Sequence, residues 1–186
     1  MKLSSLLALS MLAASPVFAQ ETRQLDSHEH GVGQLDIAID GSQVAMELHA
    51  PGADIVGFEY GAESDEDIAS VDAALLVLAQ PLDLFVVPDA AQCSVVDARA
   101  ELESEDEHGD HEEGGDDHVE EAGHTEFHAK YLLECGDITA LSKISFAYFT
   151  AFPNALEVEV QVISDTGAIA FEVERDAPTL DLSDVN

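Results

Sequence analysis

Basic residues are scarce in this chain, and tryptophan is absent. Six Lys and Arg face 39 Asp and Glu in 186 residues, so the formal net charge is −33. Binding to nucleic-acid phosphates requires clustered basic side chains, and anionic membrane surfaces attract the same groups. The composition therefore argues against both as partners. A hydrophobic content of 46% is too high for a wholly disordered chain and predicts a folded core.

Long hydrophobic runs are also missing. Residues 3–14 form the main apolar stretch, preceded by Lys2 and followed by Val17-Phe18-Ala19. This order is typical of a secretory signal peptide over residues 1–19. A membrane anchor is the alternative, but the stretch is too short for a hydrocarbon layer of about 30 Å. We expect export, cleavage before Gln20, a single domain over residues 20–186 and no membrane insertion after cleavage.

Cysteine is limited to Cys93 and Cys135. In an oxidising compartment such a pair is expected to form a disulfide, which would join the strands that flank the intervening insert. Two thiolate metal ligands are the alternative, although this spacing matches no zinc motif.

Catalytic motifs are absent as well. The sequence contains no HExxH helix motif, no GxSxG nucleophile turn, no phosphate-binding P-loop and no EF-hand spacing. We therefore expect a binding protein and not an enzyme.

Apolar alternation predicts a mostly antiparallel sheet. Residues 34–50 read as a hairpin around Asp40-Gly41, and residues 156–174 as a second hairpin. Further strands are predicted over residues 93–102, 127–135 and 143–150, with an irregular acidic tail from Asp176. One helix is predicted over about 64–80, because Ser64 is a suitable N-cap, apolar residues follow at helical spacing and Pro81 ends the pattern. The predicted fold class is α+β.

An insert interrupts this pattern over residues 103–124. It holds eleven acids and four histidines but no Lys or Arg. Such a segment buries too little apolar surface to offset its conformational entropy, so we expect a flexible loop or one ordered by metal. His108, His111 and His118 within it are predicted to be low-affinity metal ligands.

The remaining histidines are candidates for a folded metal site. His28 and His30 flank Glu29 and would lie about 7 Å apart on one side of an extended chain. His124 and His128 would be roughly 13 Å apart on a strand, and could share an ion only through a turn at its start. His49 is predicted to be solvent-exposed without a metal role. Imidazole suits zinc, copper and nickel, so ligand type alone does not select the metal.

Three segments resemble the ZrgA family of zinc-regulated periplasmic proteins: HEHG at 28–31, PGADIVGFEY at 51–60 and AFPNALEVEVQVISDTG at 151–167. The acidic, histidine-rich insert matches as well. The resemblance implies a periplasmic Zn²⁺-binding protein that contributes to zinc acquisition with an ABC-type importer. Its expected partners are zinc and the inner-membrane transporter or its substrate-binding component.

The resemblance also implies a ligand set of His28, His30, His124 and, less directly, His128. Tyr60 stands where the family pattern leads us to expect a histidine, so His128, His49 or a carboxylate must substitute. Two alternatives stay open from the residues themselves. One is a nonspecific periplasmic copper or nickel buffer or resistance protein, and the other is a structural domain whose histidines are incidental.

Overall fold

The computed structural model describes residues 30–104, 124–183 and 185. The predicted signal peptide, His28 and the insert histidines His108, His111 and His118 lie outside the described residues. Within the described part of the chain, no helix is long and apolar enough to cross a membrane.

Two sheets form the framework. The larger has the strand order β4-β5-β2-β1-β7-β8, and the smaller has the order β3-β6-β9. The strands are β1 (Val32–Asp40), β2 (Gln43–Pro51), β3 (Phe85–Val86), β4 (Cys93–Ser104), β5 (Thr125–Cys135), β6 (Lys143–Phe146), β7 (Glu157–Ser164), β8 (Gly167–Glu174) and β9 (Thr179–Asp181). All pairings are antiparallel except β1 with β7. The predicted α+β class with a mostly antiparallel sheet is confirmed.

One long helix accompanies the sheets. Its residues are Asp65–Leu78 (α2), and the Ser64 hydroxyl accepts from the Asp67 amide while the Asp67 carboxylate accepts from the Ser64 amide. This reciprocal capping fixes the predicted helix start. The other α-helices of the described residues are single turns: α1 (Gly52–Ile55), α3 (Pro81–Leu84) and α4 (Tyr148–Ala151). Two short 3-10 helices lie at Asp89–Ala91 and Ile138–Ala140.

The core lies on one face of the large sheet, as the alternation predicts. Every second residue of each central strand is buried, and the intervening residues face away from the core. The buried set on the four central strands includes Leu35, Ile37, Val44, Met46, Leu48, Phe127, Ala129, Tyr131, Leu133, Val158, Val160 and Val162. The side chains at even positions of β5 therefore lie on the opposite face.

Two local predictions are wrong. The strand predicted over 143–150 ends at Phe146, because Tyr148 and Phe149 are both buried and a strand cannot bury two successive side chains on one face. A helical turn does so instead. The tail is not wholly irregular, since residues 179–181 pair with β6 and Leu180 is buried.

Arg175 ties the end of β8 to the segment before β7. Its guanidinium donates to the backbone carbonyls of Phe149 at 3.1 Å and Pro153 at 2.7 Å, and also to those of Phe152 and Ala155. A guanidinium has donors enough to satisfy several carbonyls that no regular structure pairs. Arg175 therefore fixes the path of residues 152–155, and the Asn154 side chain joins this segment to α1.

The predicted disulfide between Cys93 and Cys135 is confirmed. Cys93 opens β4 and Cys135 closes β5, so the bond lies at one end of this strand pair. The insert leaves from the other end, where Ser104 faces Thr125. The bond therefore joins the two stems at a point about 33 Å along β5 from the insert.

Candidate metal centre

Histidines and acids alternate at the start of β5. His124, Glu126 and His128 are spaced by two residues, whereas Phe127 and Ala129 between and after them are buried in the core. The polar residues consequently project from the face opposite the core. Two clusters form there, each with two histidines around a carboxylate.

The first, called here the Glu59 cluster, contains His30, Glu59 and His124. One carboxylate oxygen of Glu59 lies 3.1 Å from His30 Nε2, and the other lies 3.0 Å from His124 Nδ1. The Glu59 side chain is only 16% exposed, but His30 and His124 are 67% and 56% exposed. A half-buried carboxylate thus joins two accessible imidazoles that are 94 positions apart in sequence.

Backbone contacts hold Glu59 beside β5. The Thr125 amide donates to the Glu59 carbonyl at 2.8 Å. Gly52 makes the close approach possible, since a Cβ there would contact Thr125 Oγ1 and lie 2.6 Å from the Phe58 carbonyl oxygen. The glycine at position 52 is therefore required by the packing of the Glu59 segment against β5.

The turn that carries His30 is anchored by a buried acid. The Gly31 amide donates to Asp54 Oδ1 at 2.8 Å, and Gly31 adopts a φ of +91°, which disfavours other residues. Asp54 is buried, and desolvation raises the pKa of its carboxyl above the usual value, against the lowering effect of the Gly31 amide.

A third segment completes this frame. The Gly31 carbonyl accepts from the amides of Leu156 at 2.7 Å and Glu157 at 2.9 Å. Asn154 Nδ2 donates to the Ala53 carbonyl at 3.1 Å. Parts of the three segments that carry the family resemblance therefore meet around the Glu59 cluster.

The second, called here the His49 cluster, contains His49, Glu126 and His128. One ligand atom from each lies within 4.8 Å of the others. His49 faces His128 across the β2–β5 pairing, and Glu126 lies 2.5 Å from His128 Nε2 and 3.6 Å from His49 Nδ1. The three side chains are half-buried, between 15% and 31% exposed.

Charges around the His49 cluster favour the protonated form of His49 and the ionised form of its neighbour Glu47. Glu126, chiefly through a hydrogen bond, raises the pKa of His49 above the usual value, although burial opposes this. Glu47 lies 3.5 Å from His49 Nε2 and 3.0 Å from Lys130 Nζ. Hydrogen bonding to Lys130 is the main reason that the pKa of Glu47 is lowered.

The predicted ligands are thus divided between two places. His30 and His124 contact Glu59, whereas His128 contacts Glu126 and lies inside a strand that begins at Thr125. His124 directly precedes that strand, and four residues of extended chain place it about 13 Å from His128, too far to share an ion. His28 lies outside the described residues.

The sequence did not select three residues of the clusters, although His49 and an unspecified carboxylate were among the possible substitutes for the histidine expected at position 60. His49 was predicted to be an exposed residue without a role, but it is half-buried against His128, with ring centroids 4.3 Å apart. Glu59 and Glu126 were not distinguished among 39 acids. Glu59 directly precedes Tyr60, whose ring stacks on Phe58 at 4.7 Å and belongs to neither cluster.

A comparison with family models gives a match over residues 27–182 to the ZrgA family zinc uptake protein model. The chain belongs to the ZrgA family. The resemblance inferred from the three segments is confirmed, and the match spans both clusters and the insert. No curated protein matches the chain. Membership in ZrgA indicates a zinc uptake protein, and the His49 cluster is a group of side chains that could hold a metal ion.

Proposed function

We propose that the protein is an exported, periplasmic Zn²⁺-binding component of zinc acquisition, which passes the ion to an ABC-type importer. The observation that carries this proposal is the position of Glu59, with one carboxylate oxygen near His30 and the other near His124. Two imidazoles and a carboxylate are a ligand set that suits zinc. We propose these three residues, with His28 of the same HEHG segment, as the primary site.

The exposure of the histidines supports a role in transfer. Structural zinc sites are closed by four protein ligands, whereas an accessible site can exchange its ion. His30 and His124 are each more than half exposed. An incoming ligand from a transporter component can therefore reach an ion held at the Glu59 cluster without unfolding of the surrounding strands.

The position of Glu59 also bears on the substitution that Tyr60 requires. A carboxylate was one of three proposed substitutes for the expected histidine. Glu59 supports that choice, because its side chain is mostly buried and contacts both histidines. We therefore propose that Glu59 supplies the ligand that Tyr60 cannot.

The insert is proposed to be a low-affinity reservoir that feeds the folded site. It joins Ser104 to Thr125, and His124 directly precedes β5 at its end. Zinc held by His108, His111 or His118 would therefore lie within a short chain distance of the Glu59 cluster. Weak binding in the insert is expected, because ordering the chain opposes it.

The site is tested by comparing Glu59→Gln with Glu63→Gln, which removes the same charge from the same segment. Zinc affinity of the mature chain is measured by competition with a chromophoric chelator. Glu59→Gln should weaken the tightest binding by about tenfold or more, and Glu63→Gln should change it little. Equal affinities for the two variants would remove Glu59 from the site.

Delivery is tested in cells. A strain lacking the gene should grow poorly when zinc is chelated, and the wild-type chain, but not Glu59→Gln, should restore growth and zinc content. Protection against added copper or nickel, without any effect under zinc limitation, would instead identify a nonspecific metal buffer.

A further inference from the structure

The His49 cluster is set apart from the proposed primary site by strand geometry. His124 directly precedes β5 and His128 lies four residues further along the chain, about 13 Å at the spacing of an extended chain, so one ion cannot bind both clusters. Each cluster nevertheless has the same composition of two imidazoles and one carboxylate. The His49 cluster is the less exposed of the two, with all three side chains at or below 31% exposure.

We propose that His49, Glu126 and His128 form a second folded site for a divalent metal ion, and that the ion it binds is zinc. This deepens the proposed function: the folded chain holds two ions, one at each end of a short stretch of β5, in addition to those in the insert. The second site rests on side-chain geometry and not on the segments that carry the family resemblance.

The geometry requires only small side-chain movements to accept an ion. Zinc–nitrogen and zinc–oxygen bonds of about 2.1 Å in a tetrahedron place neighbouring ligand atoms about 3.4 Å apart. The three ligand atoms already lie within 4.8 Å of one another, and His49 Nδ1 is 3.6 Å from Glu126 Oε2. Small rotations of the two imidazole rings, which displace each ligand nitrogen by a fraction of an ångström, would bring the three ligand atoms to this spacing. The strands themselves, paired through His49 and His128, need not move.

The surroundings of His49 match those of a metal-bound imidazole. Its Nδ1 faces Glu126 and its Nε2 faces Glu47, at 3.6 and 3.5 Å. Histidines that bind metal through one nitrogen characteristically donate from the other to a carboxylate, which fixes the ring. Glu47 is itself held by Lys130 at 3.0 Å. Glu47 is therefore the group that orients His49 toward the ion.

A fourth ligand is available from β4. Glu103 lies opposite Glu126 in the strand register, and its carboxylate is 3.6 Å from His128 Nε2. Its side chain is 57% exposed. Glu103 is also the last acid before the part of the insert that lies outside the described residues. The ion in the second site would thus have two imidazole ligands and two carboxylate ligands. If Glu103 does not bind, a water molecule would replace the second carboxylate.

The test uses the full mature chain with zinc as the probe. Anomalous scattering at the zinc edge is measured from crystals of the wild type, the variant Glu126→Gln and the variant Glu134→Gln. Glu134 provides a matched control because it lies on the same face of β5, so both variants lose one charge from that face. We expect an anomalous peak from zinc between His49 and His128 in the wild type and in Glu134→Gln, and no peak at that position in Glu126→Gln.

A measurement in solution supports the crystal result. Equilibrium dialysis at saturating free zinc should give about one equivalent less bound zinc for Glu126→Gln than for Glu134→Gln. His49→Gln serves as a second variant, since His49 is the most exposed member of the cluster, and its fold is checked by circular dichroism. If neither variant lowers the zinc content, the second site does not exist.

The two proposals fail separately. Zinc that persists between His49 and His128 in His30→Gln/His124→Gln supports the second site, whatever happens at Glu59. Zinc bound at Glu59 but absent between His49 and His128 overturns the second site and leaves the proposed function intact. Absence of zinc from both clusters overturns both.

Discussion

His49 and His128 face each other across the β2–β5 pairing, with ring centroids 4.3 Å apart and ring planes inclined at 64°. Glu126 lies close to both rings, 2.5 Å from His128 Nε2 and 3.6 Å from His49 Nδ1. This contact brings together two residues that lie on opposite sides of the insert in sequence. It also has consequences for the metal-free protein.

Protonation of His49 should stabilise the metal-free fold. Because Glu126 raises the pKa of His49 in the folded state, the contribution is fully present below the unfolded pKa of about 6.5 and is lost as pH rises through the folded pKa. The wild type should therefore exceed His49→Gln in free energy of unfolding more at about pH 6 than at about pH 8.5. Urea unfolding of the two proteins at the two pH values, with a chelator present, measures these free energies. A gap that widens with rising pH would contradict the assignment.

Removal of the insert should separate the reservoir from the folded sites. Because Ser104 and Thr125 are paired, residues 105–123 can be replaced by two glycines while His124 is retained. We expect calorimetry to show fewer bound zinc ions but a tightest binding event of nearly unchanged affinity. If the deletion abolishes that event, the primary ligands lie in the insert.

Asp54 should matter for its acceptor oxygen more than for its charge. Asp54→Ala leaves the buried Gly31 amide without its acceptor and should cost about 1–3 kcal/mol in the free energy of unfolding. Asp54→Asn keeps an acceptor and should cost less. Because burial raises the pKa of Asp54, the stability of the wild type relative to Asp54→Asn should rise as pH falls through that folded pKa. A relative stability that falls on acidification would contradict this sign.

Gly52→Ala should disturb the Glu59 cluster through packing alone. The new methyl group would collide with Thr125 Oγ1 and the Phe58 carbonyl, so we expect a loss of about 1–3 kcal/mol in the free energy of unfolding and weaker zinc binding. Gly61→Ala is the control, because a Cβ there meets nothing within 4 Å. Thermal unfolding and chelator competition measure the two effects. Similar behaviour of the two variants would show that the tight approach at Gly52 can relax.

Loss of the disulfide should affect stability and leave zinc binding in place. Cys93→Ser/Cys135→Ser removes a cross-link between residues 42 positions apart, at a cost of about 2–5 kcal/mol in the free energy of unfolding. His128, the cluster residue of β5 nearest to Cys135, lies about 23 Å away along the strand, so zinc affinity of the folded variant should be unchanged. Thiol titration of the unreduced wild type should find no free thiol. Two reactive thiols would show that the bond is not formed.

The amino-acid sequence by itself determined the local structure. Alternation fixed which side chains of β1, β2 and β5 are buried, because successive residues of a strand face opposite sides. It also placed His49 and His128 away from the core. Ser64 fixed the start of α2 because its hydroxyl satisfies an amide that the helix leaves unpaired. The two cysteines, alone in the chain, predicted their own bond.

Only the tertiary structure decided which groups meet. The β2–β5 register sets His49 against His128, and no local pattern encodes the pairing of strands that are separated by the helix and the insert. Likewise, Glu59 reaches both His30 and His124 only because Gly52, Asp54 and Thr125 hold its segment between them. The composition contains 39 Asp and Glu residues and does not indicate which of them could bind a metal ion. The packing of the chain distinguished Glu59 and Glu126, because a metal ligand is defined by where its atoms lie relative to other ligands.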